Sequence, residues 1–195
     1  MKKKLLFIII IAVFSLSLTG CGYNKMVTYD EMVHENWSQV QNQYQRRLDL
    51  IPNLVETVKG YTDYEGETLV AVMEARARAT SITVDPSDPV SMQEYRDAQE
   101  EVGSALSRLL VSVEAYPELK ASGLYSDLMH QLEGTENRIA VARMDYNAAV
   151  RRNNALVRSI PQMLYAEKYG FTTYEYLEFD ENVSDVPVVD FGDEE

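Results

Sequence analysis

The sequence predicts an all-α fold, an antiparallel four-helix bundle with long helices. Apolar residues recur at alternating steps of three and four along most of the chain, which places one apolar stripe on each predicted helix. Proline, glycine and aspartate residues separate these stripes and mark turns between the helices. The stripes are Val33, Trp37, Val40, Tyr44, Arg47, Ile51, Leu54, Val58 and Tyr61; Leu69, Val72 and Met73; Met92, Tyr95, Gln99, Val102, Leu106, Leu109, Val113 and Tyr116; and Leu128, Leu132, Thr135, Ile139, Ala142, Tyr146, Ala149, Asn153, Leu156 and Ile160.

The first predicted helix covers residues 28–50 and the second covers 53–82. Thr28 and Glu31 have the spacing of a capping box, in which two side chains satisfy free backbone N–H groups at a helix start. The two helices meet at Pro52. This proline therefore decides whether the chain turns back or continues as one helix.

Two arrangements fit the sequence around Pro52. The stripe crosses the proline in phase, which favours one long kinked helix and three long helices in total. We expect instead a reversal of the chain at 49–52, because a proline already costs a helix interior about 3 kcal/mol. A helix that continued past the following hairpin would also leave Trp37 and Tyr44 without a partner against which to pack.

The remaining two helices are predicted at 89–116 and 124–160. Asp88 and Pro89 are an N-cap residue followed by a proline at the first helical position, a pair that is typical of a helix start. Gly170 is placed to end the last helix in the left-handed conformation, which glycine adopts without strain. The turn between the two helices is marked by a proline and a glycine, Pro117 and Gly123.

The N-terminus has the layout of a secretory signal peptide, predicted at residues 1–20. Three lysines at 2–4 precede ten uninterrupted apolar residues, and the stretch turns polar before it reaches the roughly 20 residues that span a bilayer. The motif LTGC at 18–21 resembles the lipobox of bacterial lipoproteins, whose cysteine thiol receives a diacylglycerol. We therefore expect a lipid anchor that includes palmitate on Cys21, which is the only cysteine. The alternative is an uncleaved N-terminal membrane helix.

The acidic composition limits the partners of the protein. The chain carries 18 basic and 31 acidic residues, and its net charge of −13 becomes −16 without the three lysines of the signal peptide. Such a surface repels nucleic acid and anionic lipid head groups, so we expect no nucleic-acid partner and no basic patch that assists the anchor. One helical domain is predicted over 21–170, and an acidic tail over 171–195. The tail is expected to be partly extended and to lie on the bundle through Phe171, Tyr174, Tyr176 and Phe179.

No set of residues in the sequence predicts catalysis, a metal site or a cofactor. His34 and His130 fall on different predicted helices, and the one thiol is assigned to the lipid, which leaves too few ligands for zinc. No serine or cysteine nucleophile has a partnered base, and the sequence has no glycine-rich phosphate loop. The acidic run 180–185 lacks the spacing of an EF-hand calcium loop.

Polar residues on or beside the apolar stripes are the most informative candidates. Buried polar groups are costly unless they are paired, and paired groups can fix the register of a helical bundle. We therefore predict a hydrogen-bonded polar layer between helices that specifies their packing. A pocket in the same layer that binds a small ligand is the functional alternative. The candidates are Arg47, Gln99, Thr135, Glu136, Asn137, Asn147 and Asn153.

Several runs of residues resemble the LemA family of bacterial envelope proteins. The longest are RRLDLIPNLVETVKGY at 46–61, EAYPELKA at 114–121 and TENRIAVAR at 135–143, with shorter runs at 23–24, 37–40, 74–76, 146–147, 170–171 and 187–191. The resemblance covers essentially the whole mature chain. It implies an antiparallel helical bundle attached to the membrane through its N-terminus, and it supplies no catalytic residues. Many members look as if they keep an N-terminal transmembrane helix, whereas this chain carries the lipobox-like motif.

Together these observations predict a non-catalytic interaction or scaffold protein, lipid-anchored on the extracytoplasmic face of the cell membrane. Its partners are expected to be envelope proteins that contact the helix faces or the acidic tail. By analogy with the LemA family, membrane proteases and envelope-remodelling systems are candidate partners. A ligand-binding lipoprotein that uses the polar layer is the alternative, and an enzyme is not expected.

Overall fold

The computed structural model describes residues 2–60 and 66–178, with side chains from Gly22 onward. Over these residues the protein is helical and contains no strand, which confirms the predicted all-α class. The helices are α1 (Lys2–Lys59), α2 (Glu67–Ser81), α3 (Pro89–Val113), the short α4 (Pro117–Lys120) and α5 (Gly123–Val157). Two 3-10 turns, Gln162–Leu164 and Glu167–Tyr169, follow α5 and lead into an extended segment, residues 171–178, which we call the C-terminal strap.

The bundle is built from α1, α2, α3 and α5, and α1 is its central element. α5 runs antiparallel to α1: Met26 packs in one cluster with Val157, and further along α1 the ring centroids of Trp37 and Tyr146 are 5.2 Å apart. α2 and α3 form a hairpin, in which α2 is antiparallel to α1 and α3 is parallel to it. A bundle of four helices is therefore present, but the second helix begins at Glu67 rather than at the predicted residue 53.

The core consists of three apolar clusters that follow one another along α1. The distal cluster joins the end of α1 to α2, α3, α4 and the start of α5. The central cluster joins α1 to α3, α5 and the strap. The N-terminal cluster joins the start of the described side chains to the end of α5 and the segment after it. Buried representatives are Ile51, Val72 and Leu109 in the distal cluster, Trp37, Tyr95 and Leu177 in the central cluster, and Met26, Val157 and Ala166 in the N-terminal cluster.

The chain does not reverse at Pro52. α1 continues through this proline to Lys59, so the expected reversal at 49–52 is wrong and the continuous helix is correct. The proline deprives the carbonyl of Leu48, four residues earlier, of its helical hydrogen bond. Nε of Arg76, from α2, donates to that carbonyl at 2.8 Å. A neighbouring helix therefore replaces the lost hydrogen bond and reduces the penalty that a proline carries in an isolated helix.

The aromatic residues that precede Pro52 on α1 are buried without a reversal. The ring of Trp37 contacts the rings of Tyr95 and Tyr146, and the ring of Tyr44 also contacts Tyr95. The second half of α5 and the C-terminal strap provide the remaining cover in the central cluster. The start of α3, the second half of α5 and the strap therefore bury this part of α1 together.

Local helix signals agree with the structure at some positions and differ at others. Asp88 caps α3 by accepting hydrogen bonds from two backbone N–H groups, as its position before Pro89 predicts. Thr28 does not start a helix, because it lies inside α1, where its hydroxyl donates to the carbonyl of Asn24. Gly170 has the predicted left-handed conformation, with a φ of 80°, but it ends a 3-10 turn rather than the last long helix.

Candidate functional site

A buried arginine on α1 connects three helices. Arg47 is 5% exposed, and its guanidinium donates to Gln99 of α3 and to Glu136 of α5. Nη2 lies 2.6 Å from Oε1 and 3.1 Å from the carbonyl oxygen of Gln99, while Nη1 lies 3.1 Å from Oε1 of Glu136. The guanidinium carbon is 5.0 Å from the ring centroid of Tyr44. Three of the predicted polar residues are therefore joined by one planar group with several donors, a role that lysine does not fill.

The arginine network lines an open cleft of about 610 Å³ between α3 and α5. Small residues form much of its α3 wall: Gly103, Ser104 and Ser107. A Cβ placed on Gly103 would have no heavy atom within 4 Å, so this wall has unfilled space beside it. Arg108 and Arg143 also line the cleft and add positive charge. The cleft is thus a polar surface with room for a chain segment or a small molecule.

Two tyrosines beside the arginine keep their protons to high pH. Burial raises the pKa of Tyr44 to about 12, although the nearby charges of Arg47 and Arg143 oppose that shift. Burial also raises the pKa of Tyr95, whose ring centroid is 5.5 Å from that of Tyr44. Both phenols are neutral near pH 7 and contribute packing and hydrogen-bonding capacity rather than charge.

Four of the seven predicted polar residues do not join the network, and two of these, Asn147 and Asn153, bind the strap instead. Thr135 is fully buried, but its hydroxyl donates to the carbonyl of Gln131 in its own helix at 2.8 Å. Asn137 is exposed and lines a separate pocket with Asn36 and Arg138, between α1 and α5. The single polar layer expected from the sequence is therefore divided between different faces of α5.

Side-chain amides of α5 hold the C-terminal strap. The N–H of Tyr174 donates to Oδ1 of Asn154 at 2.9 Å, and Nδ2 of Asn154 donates to the carbonyl of Tyr174 at 2.8 Å. Asn147 makes the same pair of hydrogen bonds with Leu177, at 2.9 and 3.3 Å. Because the two asparagines are seven residues apart, they lie on one face of α5. They bind the strap backbone in the way that a residue of a neighbouring β-strand would.

A third asparagine contacts the start of the strap. Asn153, predicted as a polar residue on the apolar stripe, is fully buried and donates to the carbonyl of Thr172 at 2.9 Å. Asn154 was not predicted as a site residue, because it lies one position off the stripe. Its spacing of seven residues from Asn147 is the sequence signal that would have identified it.

The strap also contacts α3 and the turn between α2 and α3. The hydroxyl of Tyr146 donates to the carbonyl of Glu175 at 2.9 Å, and the N–H of Glu175 donates to the carbonyl of Pro86 at 2.9 Å. Nη1 of Arg96 donates to the carbonyl of Tyr176 at 3.0 Å. The strap therefore ties α5 to the α2–α3 hairpin through hydrogen bonds to its backbone groups.

Tyr174 connects the strap to α1. Its hydroxyl donates to Oδ1 of Asp30 at 2.7 Å and lies 3.1 Å from Nε2 of His34. Burial, together with the hydrogen bond to Asp30, raises the pKa of Tyr174. Tyr174 is buried, as expected for a residue that holds the tail on the bundle, whereas Phe179 lies outside the described residues.

The remaining sequence candidates do not meet in the structure or lie outside its described part. Among the described residues, no group of three His, Cys, Asp or Glu side chains is placed to hold a metal ion. The side chain of Cys21 and the acidic run 180–185 lie outside the described residues. Among the residues whose side chains are described, 22–60 and 66–178, no helix is both long and apolar enough to cross a bilayer.

The fold and the site define an elongated helical-bundle protein with a polar interhelical cleft and a strap bound through side-chain amides. The chain belongs to the LemA family, whose family model matches residues 36–191. That range includes Arg47, the cleft and the strap.

Two groups of relatives are similar to the chain. Protein LemA of Metamycoplasma hominis is 26% identical over 164 residues, which cover 84% of this chain and 72% of that protein. Magnetosome protein MamQ 2 of Paramagnetospirillum magneticum is 27% identical over 186 residues, and Magnetosome protein MamQ of Magnetospirillum gryphiswaldense is 25% identical over 186 residues. Each of these two matches covers 86% of this chain and 68% of the relative.

Proposed function

We propose that this LemA-family protein is a lipid-anchored, non-catalytic interaction protein of the bacterial cell envelope. A lipid on Cys21, after removal of residues 1–20, would hold the bundle on the extracytoplasmic face of the cell membrane. The lipobox-like motif at 18–21 supports the anchor. Membership of the LemA family supports membrane association, and none of the names of the relatives denotes an enzymatic reaction.

The open cleft beside Arg47 is the observation that supports the interaction role. The guanidinium of Arg47 is already hydrogen-bonded to Gln99 and Glu136, so this wall of the cleft is preorganised. A preorganised surface loses little side-chain freedom when it binds a partner. Arg108 and Arg143 give the cleft a small excess of positive charge. We therefore infer that it takes an acidic segment of another envelope protein.

Photo-crosslinking in cells tests this role. A photo-reactive residue in place of Ser104, on the α3 wall of the cleft, should give one dominant crosslinked species. The matched control is Val141, which is exposed and lines a different pocket. The crosslink should disappear in the Cys21→Ser background, because the partner is expected at the membrane. Equal crosslinking at both positions, or none at either, would contradict the proposal.

The anchor is tested separately by metabolic labelling with an alkyne analogue of palmitate. The native protein should be labelled, and the Cys21→Ser variant should not. An unlabelled native protein that still resists extraction from the membrane would support the uncleaved N-terminal helix instead of the lipid.

A ligand-binding lipoprotein is the second candidate function. Nε of Arg47 is a buried donor without a hydrogen-bond partner among the described residues, in a residue that lines the cleft. A small carboxylate or phosphate that bound there would stabilise the folded state by about 2.7 kcal/mol at about 100 times its Kd. Thermal unfolding against a panel of such anions, with Arg47→Met as the control, separates this function from the interaction role.

A further inference from the structure

The end of the bundle next to Cys21 carries a concentration of exposed apolar side chains. Ile160 is 79% exposed, Leu164 76%, Met163 54% and Tyr169 57%. Tyr23, 41% exposed, joins them through a ring contact with Tyr169 at 5.4 Å between centroids. We call these five residues the rim. The other large exposed apolar residues of the described chain are spread over α2, α3 and α5, so the rim is a local feature.

The rim lies beside the first residue after the anchor motif. A Cβ placed on Gly22 would stand 2.6 Å from the hydroxyl oxygen of Tyr165 and 3.2 Å from Nε2 of Gln162. The side chains of Tyr165 and Gln162, from the segment after α5, therefore reach the backbone of Gly22, and a larger residue at this position would displace them. Because α1 is one continuous helix through this position, the rim is held at the level where α1 enters the bundle.

The chain segments that carry the rim have more bases than acids, although the chain as a whole is acidic. Residues 22–29 and 156–170 contain three bases and one acid, whereas the whole chain has a net charge of −13. All four of these charged residues are exposed: Lys25, Arg158, Glu167 and Lys168. Residues 22–29 and 156–170 therefore carry a net charge of +2, which the net charge of the whole chain does not show.

We propose that the rim is a membrane-docking surface that inserts its apolar side chains among the lipid head groups of the bilayer that holds the N-terminus. Lys25, Arg158 and Lys168 contact the phosphates of anionic lipids. Exposed apolar and aromatic residues beside bases are the composition of interfacial protein surfaces, since the rings and the long basic stems are apolar with a polar end. A patch of exposed apolar residues next to a chain that enters a bilayer has the membrane as its adjacent partner.

This inference rests on the proposed membrane attachment, but not on its chemistry. A lipid on Cys21 and an uncleaved N-terminal helix both bring Gly22 to the bilayer surface. The anchor then supplies the membrane affinity, and the rim sets the orientation of the bundle on the surface.

Depth-dependent fluorescence quenching of the full-length protein, purified from membranes and reconstituted in vesicles, tests the docking surface. The vesicles contain phosphatidylcholine and phosphatidylglycerol, with a quencher-bearing lipid near the head group. An environment-sensitive fluorophore is attached through Leu164→Cys or Ile160→Cys, and the native protein treated with the same reagent gives the background from Cys21. The matched control is Val111→Cys, which is exposed at the far end of α3. We expect quenching of the rim positions to be several-fold stronger than at position 111.

A charge variant tests the basic residues. Arg158→Glu/Lys168→Glu should reduce quenching at position 164 in vesicles with phosphatidylglycerol and have little effect in phosphatidylcholine alone. The matched control is Arg46→Glu/Arg138→Glu, which reverses two exposed charges away from the rim. An equal effect of both charge variants would overturn the role of the basic residues.

Flotation of the same vesicles separates the two proposals. Protein that floats with the vesicles but shows no more quenching at position 164 than at position 111 overturns the docking surface and leaves the anchor intact. Protein that does not float overturns the membrane attachment, and with it the docking surface. Protein that floats and is quenched at positions 160 and 164 but not at position 111 supports both the membrane attachment and the docking surface.

Discussion

Arg76 of α2 supplies the hydrogen bond that the carbonyl of Leu48 on α1 loses to the following proline. Nε of Arg76 lies 2.8 Å from that carbonyl oxygen, and Pro52, four residues after Leu48, has no N–H to offer. The proline inside α1 and the arginine of α2 therefore depend on each other. This dependence holds α2 at one register along α1.

A double-mutant cycle measures the dependence. Arg76→Met should destabilise the native protein by about 1–3 kcal/mol, because it leaves the Leu48 carbonyl without a partner. In a Pro52→Ala background the loss should be smaller, since the alanine N–H can donate to the same carbonyl. Urea unfolding followed by circular dichroism gives the four free energies of unfolding. As a control, Arg78→Met, which removes a surface ion pair with Glu101, should have the same small effect in both backgrounds. Additive effects of Pro52→Ala and Arg76→Met would contradict the pairing.

The strap should detach when Asn147 and Asn154 lose the N–H donors of their side-chain amides. Asn154→Asp keeps an acceptor for the N–H of Tyr174 but places a carboxylate oxygen against its carbonyl, which is repulsive. We expect hydrogen-exchange protection of strap amides to fall at least about tenfold, the equivalent of about 1.4 kcal/mol, while α5 stays protected. Asn147→Asp should act on Leu177 in the same way. Asn137→Asp, an exposed substitution in the same helix, is the control and should leave the strap unchanged.

The free energy of unfolding should depend more on the shape of the Arg47 side chain than on the charge of its partner Glu136. Arg47→Lys keeps the charge but cannot donate to Gln99 and Glu136 together, so we expect a loss of about 1–3 kcal/mol in the free energy of unfolding. Glu136→Gln should cost less than about 1 kcal/mol, because the Glu136 side chain is 45% exposed and its charge is screened. Urea unfolding of both variants gives the comparison. A larger loss for Glu136→Gln would show that the ion pair, rather than the geometry of the guanidinium, holds the helices together.

Alkaline pH should unfold the protein through its buried tyrosines. Burial raises the pKa of Tyr44 from 10.0 to about 12, and it also raises the pKa values of Tyr95 and Tyr146. Between about pH 10 and 12 an unfolded tyrosine has lost its proton while the folded one keeps it, so the unfolded state binds fewer protons. Stability should therefore be complete below about pH 10 and fall as the pH rises through this window. Each such tyrosine contributes up to about 1.4 kcal/mol per pH unit.

Tyr44→Phe checks this assignment. The variant should lose stability less steeply between about pH 10 and 12 than the native protein, as measured by urea unfolding at a series of pH values. Ionisation, followed by ultraviolet absorbance, should coincide with unfolding in the native protein. Ionisation of all tyrosines near pH 10 without unfolding would contradict the burial argument.

The helical periodicity of the sequence predicted the set of buried residues more accurately than it predicted the partners of those residues. The stripe of α3, from Met92 to Val113, is buried throughout, because helical periodicity is a local property of the sequence. Thr135 and Asn153 have equivalent places on the stripe of α5 and are both fully buried. The Thr135 hydroxyl donates to a carbonyl of its own helix, while the Asn153 side chain donates to the strap. Periodicity does not encode that difference, because the strap arrives from a distant part of the chain.

The error at Pro52 has the same origin. The cost of a proline in a helix is a local quantity and can be estimated from the sequence alone. Its relief by Arg76 is a tertiary contact between positions 28 residues apart. The rim was not predicted from the sequence, because the bases beside it in the chain, among them Arg158 and Lys168, are diluted by the acidic residues elsewhere.

The uninterrupted length of α1 fixes the distance between the two ends of the bundle. From Gly22 to Lys59 the helix rises about 55 Å, at 1.5 Å per residue. The start of α2, with the exposed apolar residues Val70 and Met73, packs beside the far end of this rod. A molecule held at Gly22 with α1 upright would therefore present one contact surface at the bilayer and another well above the lipid head groups. Contacts with membrane-embedded neighbours and with structures farther from the bilayer would then occur at separate heights on the same molecule.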